Sequence, residues 1–239
     1  EMLGGGGGKG TEEYAKLKWQ YTDNGAADSK KIMIDLGANC GNSYMKLNKM
    51  HTHQMKKRKF DISYLFEWNP RIIRLYLNKL AETDKGVILV PNPAWGVDMN
   101  MTFYTDKRDE HKDDEAYLKQ YPCTSTKVNT YNSPEDSGGM LKNYGRSGTP
   151  VEVQAVGFPG WFVKQDIKPN DLIYLKIDIE GAECSVLDAW MDMGLTCTVQ
   201  EYYIEWHDFF TKEMKVCASK TRTRLIAESE ACKHKVLVP

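Results

Sequence analysis

Apolar residues recur along this chain in short runs that close on polar or acidic residues, and between the runs the spacing changes to that of helices. Lys31–Asp35 carries Ile32, Met33 and Ile34 without a break before its acid, as a short buried strand does. Phe60–Trp68 alternates Ile62, Tyr64 and Phe66 with Ser63, Leu65 and Glu67, the period of a second strand. Gly86–Pro91 is apolar enough to be a third strand, buried on both faces. Met101–Tyr104, Val151–Phe158, Leu172–Ile177, Thr198–His207 and the closing His234–Pro239 read as further strands. One helix starts after a cap at Asn42 or Ser43 and carries Tyr44, Met45, Leu47 and Met50. Another has Asn69 as cap and Pro70 as first residue, which puts Ile72, Ile73, Tyr76, Leu77 and Leu80 on one face. A third starts near Glu180, buries Ala182, Val186, Leu187 and Trp190, and stops at Gly194; Pro159–Val163 carries Trp161 and Phe162 ahead of it. Asp208–Lys215 and Lys220–Ala231 are expected as two separate helices. Strands alternating with helices predict an α/β fold, its central sheet mostly parallel and covered by helices on both faces.

The pattern fails in two places. Thr105–Pro150 is polar and Gly/Ser-rich, with weak helical character only around Asp114–Tyr121. A connection of that length reads as an insertion between the third and fourth core strands, either a substrate lid or a solvated loop. Residues 1–30 hold the glycine run GGGGGKG, a short amphipathic stretch Thr11–Gln20 with Tyr14, Leu17 and Trp19, and the polar linker Thr22–Lys30. The expected division is therefore residues 1–30 as linker and short helix and residues 31–239 as one domain, a module of a longer protein. Leu237-Val238-Pro239 is either a strand end or the remnant of a protease site.

Composition narrows the partners. With 32 Lys and Arg against 33 Asp and Glu in 239 residues, the chain lacks the basic excess of a nucleic-acid binder. No apolar run is long enough to span a bilayer and no secretory signal stands out. The six cysteines are far apart, and Cys184 and Cys197 fall inside apparently buried elements. That spacing favours reduced core thiols and a cytoplasmic setting; the lumen of the secretory pathway is the alternative if the full-length protein carries an anchor or signal. Asn100-Met101-Thr102 is a glycosylation sequon of the kind expected by chance, and HTHQMKKRK at 51–59 is better explained as a solvated basic loop than as a metal or phosphate site.

Candidate chemistry gathers at the strand ends. In KIMIDLGANCGNS the small residues Gly37, Ala38, Asn39, Cys40 and Gly41 form a turn between strand and helix, where backbone N–H groups and a helix dipole converge. Gly37 and Gly41 are expected to let a ligand approach, and Asn39 to tolerate a left-handed conformation. The dinucleotide pattern G-x-G-x-x-G is absent, since Asn39 and Asn42 stand where it needs small residues. Glu67, at the tip of the second strand, is placed to accept both hydroxyls of a ribose, or else stabilises the helix that follows. Trp68 stacks near an adenine or merely packs, and Asn92–Trp95 sits at the tip of the third strand. Asp178 ends the strand Leu172–Ile177, and Glu205 and His207 end the next. Glu180 and Glu183 are accounted for by a helix N-terminus.

IDLGANCGNS together with LKIDIEGAE, and EWNP between them, resembles the FkbM family of S-adenosylmethionine (SAM)-dependent methyltransferases; the stretch from Trp95 to Tyr104, ending MTFY, is also similar. The resemblance covers roughly Lys31–His207, with Thr105–Pro150 loosely matched. It implies a class I, Rossmann-like methyltransferase. It implies cofactor contacts from Asp35, Gly37, Asn39, Gly41 and Glu67, with Asp178 facing the transfer site; Ala38, Trp68, Asn92 and Ala94 are added to the cofactor pocket by their positions in the turn and at the strand tips. The implied reaction is O-methylation of a carbohydrate or glycosylated acceptor. Asn39 replaces the central glycine common in such turns, and the short tail leaves the usual antiparallel edge hairpin incomplete.

An alcohol is a poor nucleophile at neutral pH, so such a reaction gains from a base or a metal. Asp178, Glu205 and His207 offer either a Mg²⁺ or Mn²⁺ site or, without metal, a base at Asp178 or His207; otherwise they hydrogen-bond the acceptor. Trp95, Trp161, Tyr202 and Trp206 either stack on sugar or belong to the core. Transfer to a non-sugar small molecule or a peptide, a SAM-binding module without catalysis, and a nicotinamide oxidoreductase are the competing readings.

Overall fold

The computed structural model describes residues 29–48, 60–104, 113–120, 122–123, 149–208, 211–232 and 235–237. Its strands are β1 (Lys31–Leu36), β2 (Ile62–Phe66), β3 (Val87–Val90), β4 (Ala94–Trp95), β5 (Met99–Tyr104), β6 (Pro150–Gly157), β7 (Leu172–Ile177), β8 (Glu201–Ile204) and β9 (Lys235–Leu237). Six of them form the central sheet in the order β3-β2-β1-β7-β8-β9, and every adjacent pair is parallel. The direction of winding reverses between β1 and β7. In open parallel sheets the crevice outside the carboxyl ends at such a reversal is where ligands bind.

Helices cover both faces of this sheet, which is why its inner strands read as apolar runs rather than as alternation. Ile32, Ile34 and Leu36 of β1 and Ile173, Leu175 and Ile177 of β7 face one core. α4 (Phe158–Phe162), α5 (Glu183–Asp192) and α6 (Lys212–Ala231) close it. Phe158 stacks on Trp190 at 5.1 Å, and Trp161 meets Tyr64 and Phe66 edge-on at 5.0 and 4.8 Å. Met33, Leu65 and Tyr174 face the other core, under α1 (Asn42–Leu47) and α2. α2 is one continuous helix made of Pro70–Ile72, a widened π stretch Ile73–Leu77, and Asn78–Thr83. Asn69 caps it as expected, its side chain accepting from the Arg71 and Ile72 amides.

Several expectations need correction. α1 has Gly41 at its cap position, with no side-chain cap from Asn42 or Ser43, and six residues make too short a helix for a strong dipole. The two C-terminal helices are a single one, α6, capped by Thr211; nothing between Lys215 and Lys220 breaks it. The strand expected over Thr198–His207 is only Glu201–Ile204, preceded by a 3₁₀ turn at Thr196–Thr198. β9 joins β8 in parallel, so the described part of the central sheet has no antiparallel hairpin. β4, β6 and β5 form a small second sheet in that order, with β5 antiparallel to β6.

The cysteine expectation was wrong. All six pair, as Cys40–Cys123, Cys184–Cys217 and Cys197–Cys232. Their separations in sequence, 83, 33 and 35 residues, hid pairs that the fold brings to Cα distances of 5.8, 6.2 and 5.4 Å. From the insertion, α3 (Asp114–Gln120) docks on α2, where Arg71 and Arg74 meet Asp114 and the Arg71 guanidinium lies over the Tyr117 ring. The expected N-terminal helix, the 51–59 basic stretch and most of 105–148 lie outside the described residues. No helix among the described residues is long and apolar enough to cross a membrane.

Candidate active site

The two sequence motifs meet at the β1/β7 reversal. A Cβ added to Gly37 would stand 1.8 Å from the Asp178 carbonyl oxygen, so the glycine exists to let the end of β7 pass, not to admit a ligand. Gly41 likewise makes room for the Leu80 and Leu77 side chains. Both glycines have φ +83°, and Asn39 sits at φ 49°, the left-handed turn its side chain tolerates.

Glu67 braces this turn from β2. One carboxylate oxygen accepts from the Asn39 amide at 2.9 Å; the other accepts from the Trp68 and Asn69 amides at 2.8 Å each. Burial pushes its carboxyl up to about 7, although the three backbone donors pull the other way. A carboxylate has about four lone-pair sites, so with three taken one remains for a hydroxyl in the cleft that Glu67 lines. Gly37, Asn39, Trp68, Ala94, Phe103 and Asp178 share that cleft with it, along with Phe66, Pro93, Ile179, Glu180 and Ala182. It is narrow, about 70 Å³, and the Trp68 and Phe103 rings touch at 4.9 Å.

Behind the cleft lies a buried ionic group. Lys176 donates to Asp35 at 2.9 Å and to the Gly37 carbonyl at 3.1 Å, and stands 3.2 Å from Asp178 Oδ2. Burial alone would lower the Lys176 pKa, but Asp178 and Asp35 together hold it above its ordinary value. Burial raises Asp35, against the pull of Lys176. With two carboxylates and a carbonyl around one ammonium, Lys176 is the charged member. Asp35 bears the cost, its second oxygen buried without a hydrogen bond.

After β7 the chain turns through Asp178-Ile179-Glu180-Gly181, with Glu180 at φ 56°, and α5 begins only at Glu183. Glu183 is buried. One of its oxygens lies 2.8 Å from His207 Nδ1 and accepts from the Gly181 and Ile179 amides at 3.1 and 3.3 Å. His207 Nε2 then faces Asp178 Oδ1 at 3.8 Å and Glu180 Oε2 at 3.7 Å. Burial would lower the imidazole pKa, but the Glu183 hydrogen bond and the charges of Glu183, Glu180 and Asp178 outweigh it and hold it at about 9. Beyond His207 a second cavity of about 370 Å³ opens, walled by Glu183, Ser185, Asp188, Asp208, Glu213 and the Cys184–Cys217 bridge.

The sequence profile of the Methyltransferase FkbM domain matches residues 35–231, a span that contains both motifs and the His207 group. The chain belongs to the FkbM methyltransferase family. No curated protein matches it. A crystal structure of Methyltransferase FkbM from Methylobacillus flagellatus KT is similar at TM-score 0.36 and 16% identity, over 77% of this chain and 36% of that one. The chain thus spans about a third of that protein's length.

In this FkbM domain the cleft takes Gly37, Asn39, Glu67, Trp68, Ala94 and Asp178 from the sequence reading. Four other expected cofactor residues stand back from it. Asp35 is buried against Lys176, Ala38 is packed with its amide on the Phe66 carbonyl, Gly41 abuts α2, and the Asn92 side chain donates to the Gln154 carbonyl. Glu205 is exposed and outside the ligand-distance group that Asp178, Glu180 and His207 form. Glu180 takes the place expected for Glu205, because β8 ends at Ile204 and the left-handed turn swings Glu180 toward His207. The helix-dipole account therefore fails for Glu180, which precedes α5, whereas Glu183 does stand in its first turn. Tyr202 is core, fully buried and donating to the Thr196 carbonyl, and the partly buried Trp161 packs against that core. The Arg222 guanidinium lies over the buried Trp206. Phe103 and Lys176 were missed, the first because its strand pairs far away in sequence, the second because a lysine inside an apolar run shows no partner.

Proposed function

We propose that this domain transfers a methyl group from SAM to a hydroxyl of a carbohydrate or glycosylated acceptor. The cleft residues suit that cofactor. Glu67 keeps one acceptor site, on Oε2, for a ribose hydroxyl, while Trp68, Pro93, Ala94, Phe103 and Ile179 offer an apolar slot for a base. A nucleoside needs more room than the cleft encloses, so the Trp68–Phe103 contact must open to admit one. When bound, SAM supplies an electrophilic methyl on a sulfonium. The protein's part is to orient an acceptor and manage its proton.

The observation that carries this reading is the position of Asp178, which lines the cofactor cleft and also faces the His207 group beside the second cavity. Lys176 stands 3.2 Å from Oδ2, which leaves Oδ1 to take the proton that the acceptor hydroxyl gives up. His207, held protonated at neutral pH by its carboxylates, orients Asp178 rather than acting as the resting base. The second cavity's wall is mostly apolar, with Met214, Ala218 and the Cys184–Cys217 bridge, and carries Ser185, Asp208 and Glu213 as acceptors, a mixture that suits the C–H faces and hydroxyls of a sugar. Three disulfides favour an oxidising compartment for this chemistry over the cytoplasm.

The test is methyl transfer from radiolabelled SAM to a panel of glycans, small glycosides and peptides, beside thermal shifts with S-adenosylhomocysteine and NAD. Labelled glycoside with stabilisation by the homocysteine compound alone is expected. Stabilisation by NAD, or by neither, ends the proposal.

A further inference from the structure

We propose that Asp178, Glu180 and His207 form a divalent-cation site, with Glu183 orienting His207 from behind. Each of the three contributes one ligand atom, and these atoms all lie within 4.8 Å of one another. Donors around one cation sit at most two bond lengths apart, roughly 4.2 Å for Mg²⁺ and about 5 Å for Ca²⁺. The group is therefore already near a coordination sphere, and a small contraction would complete half of one. His207 is more than nine-tenths buried, and its Nδ1 side is engaged by Glu183. That is how metal-bound histidines are held, with a carboxylate on the far nitrogen fixing the tautomer and raising the basicity of the near one. Lys176 occupies Asp178 Oδ2, whereas the oxygen facing His207 is Oδ1, so the lysine and a cation need not compete for one atom.

The donor set selects the ion. Two carboxylates and one imidazole, with the remaining positions open, suit a hard cation that tolerates nitrogen, Mn²⁺ before Mg²⁺. Asp178 and Glu180 also line the cofactor cleft, and His207 lines the second cavity. An acceptor oxygen reaching the open positions would be polarised where the proposed transfer takes place. This refines the proposed function: with a cation bound, His207 gives up its proton and Asp178 Oδ1 acts as a ligand instead of the base, yet the site itself can be tested without turnover.

The disulfide-intact chain, stripped with EDTA and desalted, is titrated with Mn²⁺ while free ion is followed by electron paramagnetic resonance. Saturable binding of one ion per chain is expected. Glu180→Gln and His207→Ala should weaken it at least tenfold, Glu183→Gln about tenfold through the lost orientation, and Glu205→Gln not at all. Glu180 is partly exposed, so its variant keeps the test open should the buried histidine variant fail to fold. No saturable binding, or wild-type binding by Glu180→Gln, overturns the site and leaves a protonated His207 as the charge among those carboxylates. Mn²⁺ binding without methyl transfer to any acceptor would instead count against the proposed function alone.

Discussion

Lys176 and Asp35 are register partners across the β1–β7 ladder, and their side chains meet at 2.9 Å on the face beneath α1 and α2. The same ammonium reaches the Gly37 carbonyl and Asp178, so one buried cation joins the first motif to the second. Lys176→Met removes it and leaves Asp35 buried without compensation. Breaking a buried pair from one side costs about 3–5 kcal/mol, whereas replacing both members by apolar residues is often neutral. In urea unfolding, Lys176→Met should lose an amount of that order, and Asp35→Leu with Lys176→Met should recover most of it. A single variant as stable as the parent would show the pair to be dispensable.

Gly37 and Gly160 should respond in opposite ways to alanine. At Gly37 the new Cβ meets the Asp178 carbonyl at 1.8 Å on a backbone at φ +83°, so strand spacing and conformation are both violated. Overpacking costs about 1–3 kcal/mol and a left-handed alanine about 1–2 more. At Gly160, inside α4, nothing lies within 4 Å, and alanine should add roughly 0.5–1 kcal/mol of stability. Paired melting curves decide it.

Legibility follows the range of the interaction. β7 runs Leu172–Ile177 as its apolar pattern indicates, and the Asn69-Pro70 start of α2 was visible because capping is local. Glu67 and Asp178 were visible because strand tips in parallel sheets are where polar groups can face a crevice. What was hidden depends on residues far apart in sequence. In the sequence Glu180 reads as a helix N-terminal acid, because only the three-dimensional turn shows it facing His207. The cysteines were read as unpaired for the same reason. The role of the two turn glycines was misjudged because a glycine's need for space does not say whose atoms fill it.

The disulfides should matter most for α6. Cys197–Cys232 fastens its C-terminal cap to the segment after α5, and Cys184–Cys217 fastens its second turn to α5 itself. Loops of this length give about 2–4 kcal/mol per bridge. Intact mass of chain made in an oxidising compartment should be short of the all-thiol value by two hydrogens for each of the three bonds. Dithiothreitol should lower its melting temperature. Full-mass, equally stable chain from the same source would contradict the pairing.

Opening of the cleft should be visible in tryptophan emission. Trp68 touches Phe103 at the wall of the cleft, and a bound nucleoside has to part them. S-adenosylhomocysteine should therefore shift the emission of the parent, with the change largely absent in Trp68→Phe. An undiminished change in that variant would place the responding tryptophan elsewhere.

Cofactor affinity should depend on pH through Glu67. Its carboxyl is raised to about 7 chiefly by burial, so near neutrality the protein is a mixture of acid and carboxylate. A ribose hydroxyl donates to the carboxylate, so binding favours the ionised form and releases a proton. Affinity for S-adenosylhomocysteine should rise with pH, by up to about tenfold per unit below pH 7, and level off above it. The sign for folding is the reverse. A carboxyl with a raised folded pKa takes up protons on folding, so its contribution to stability falls as pH climbs from the ordinary carboxyl value to about 7. Glu67→Gln keeps the shape and part of the hydrogen bonding but cannot titrate. Its affinity should be lower than the parent's at pH 8, by about tenfold for the loss of a charged acceptor, and flat from pH 6 to 8. Calorimetry in two buffers of different ionisation enthalpy measures the proton release directly. Binding with no proton released near pH 6.5 would mean that Glu67 does not hold the ribose.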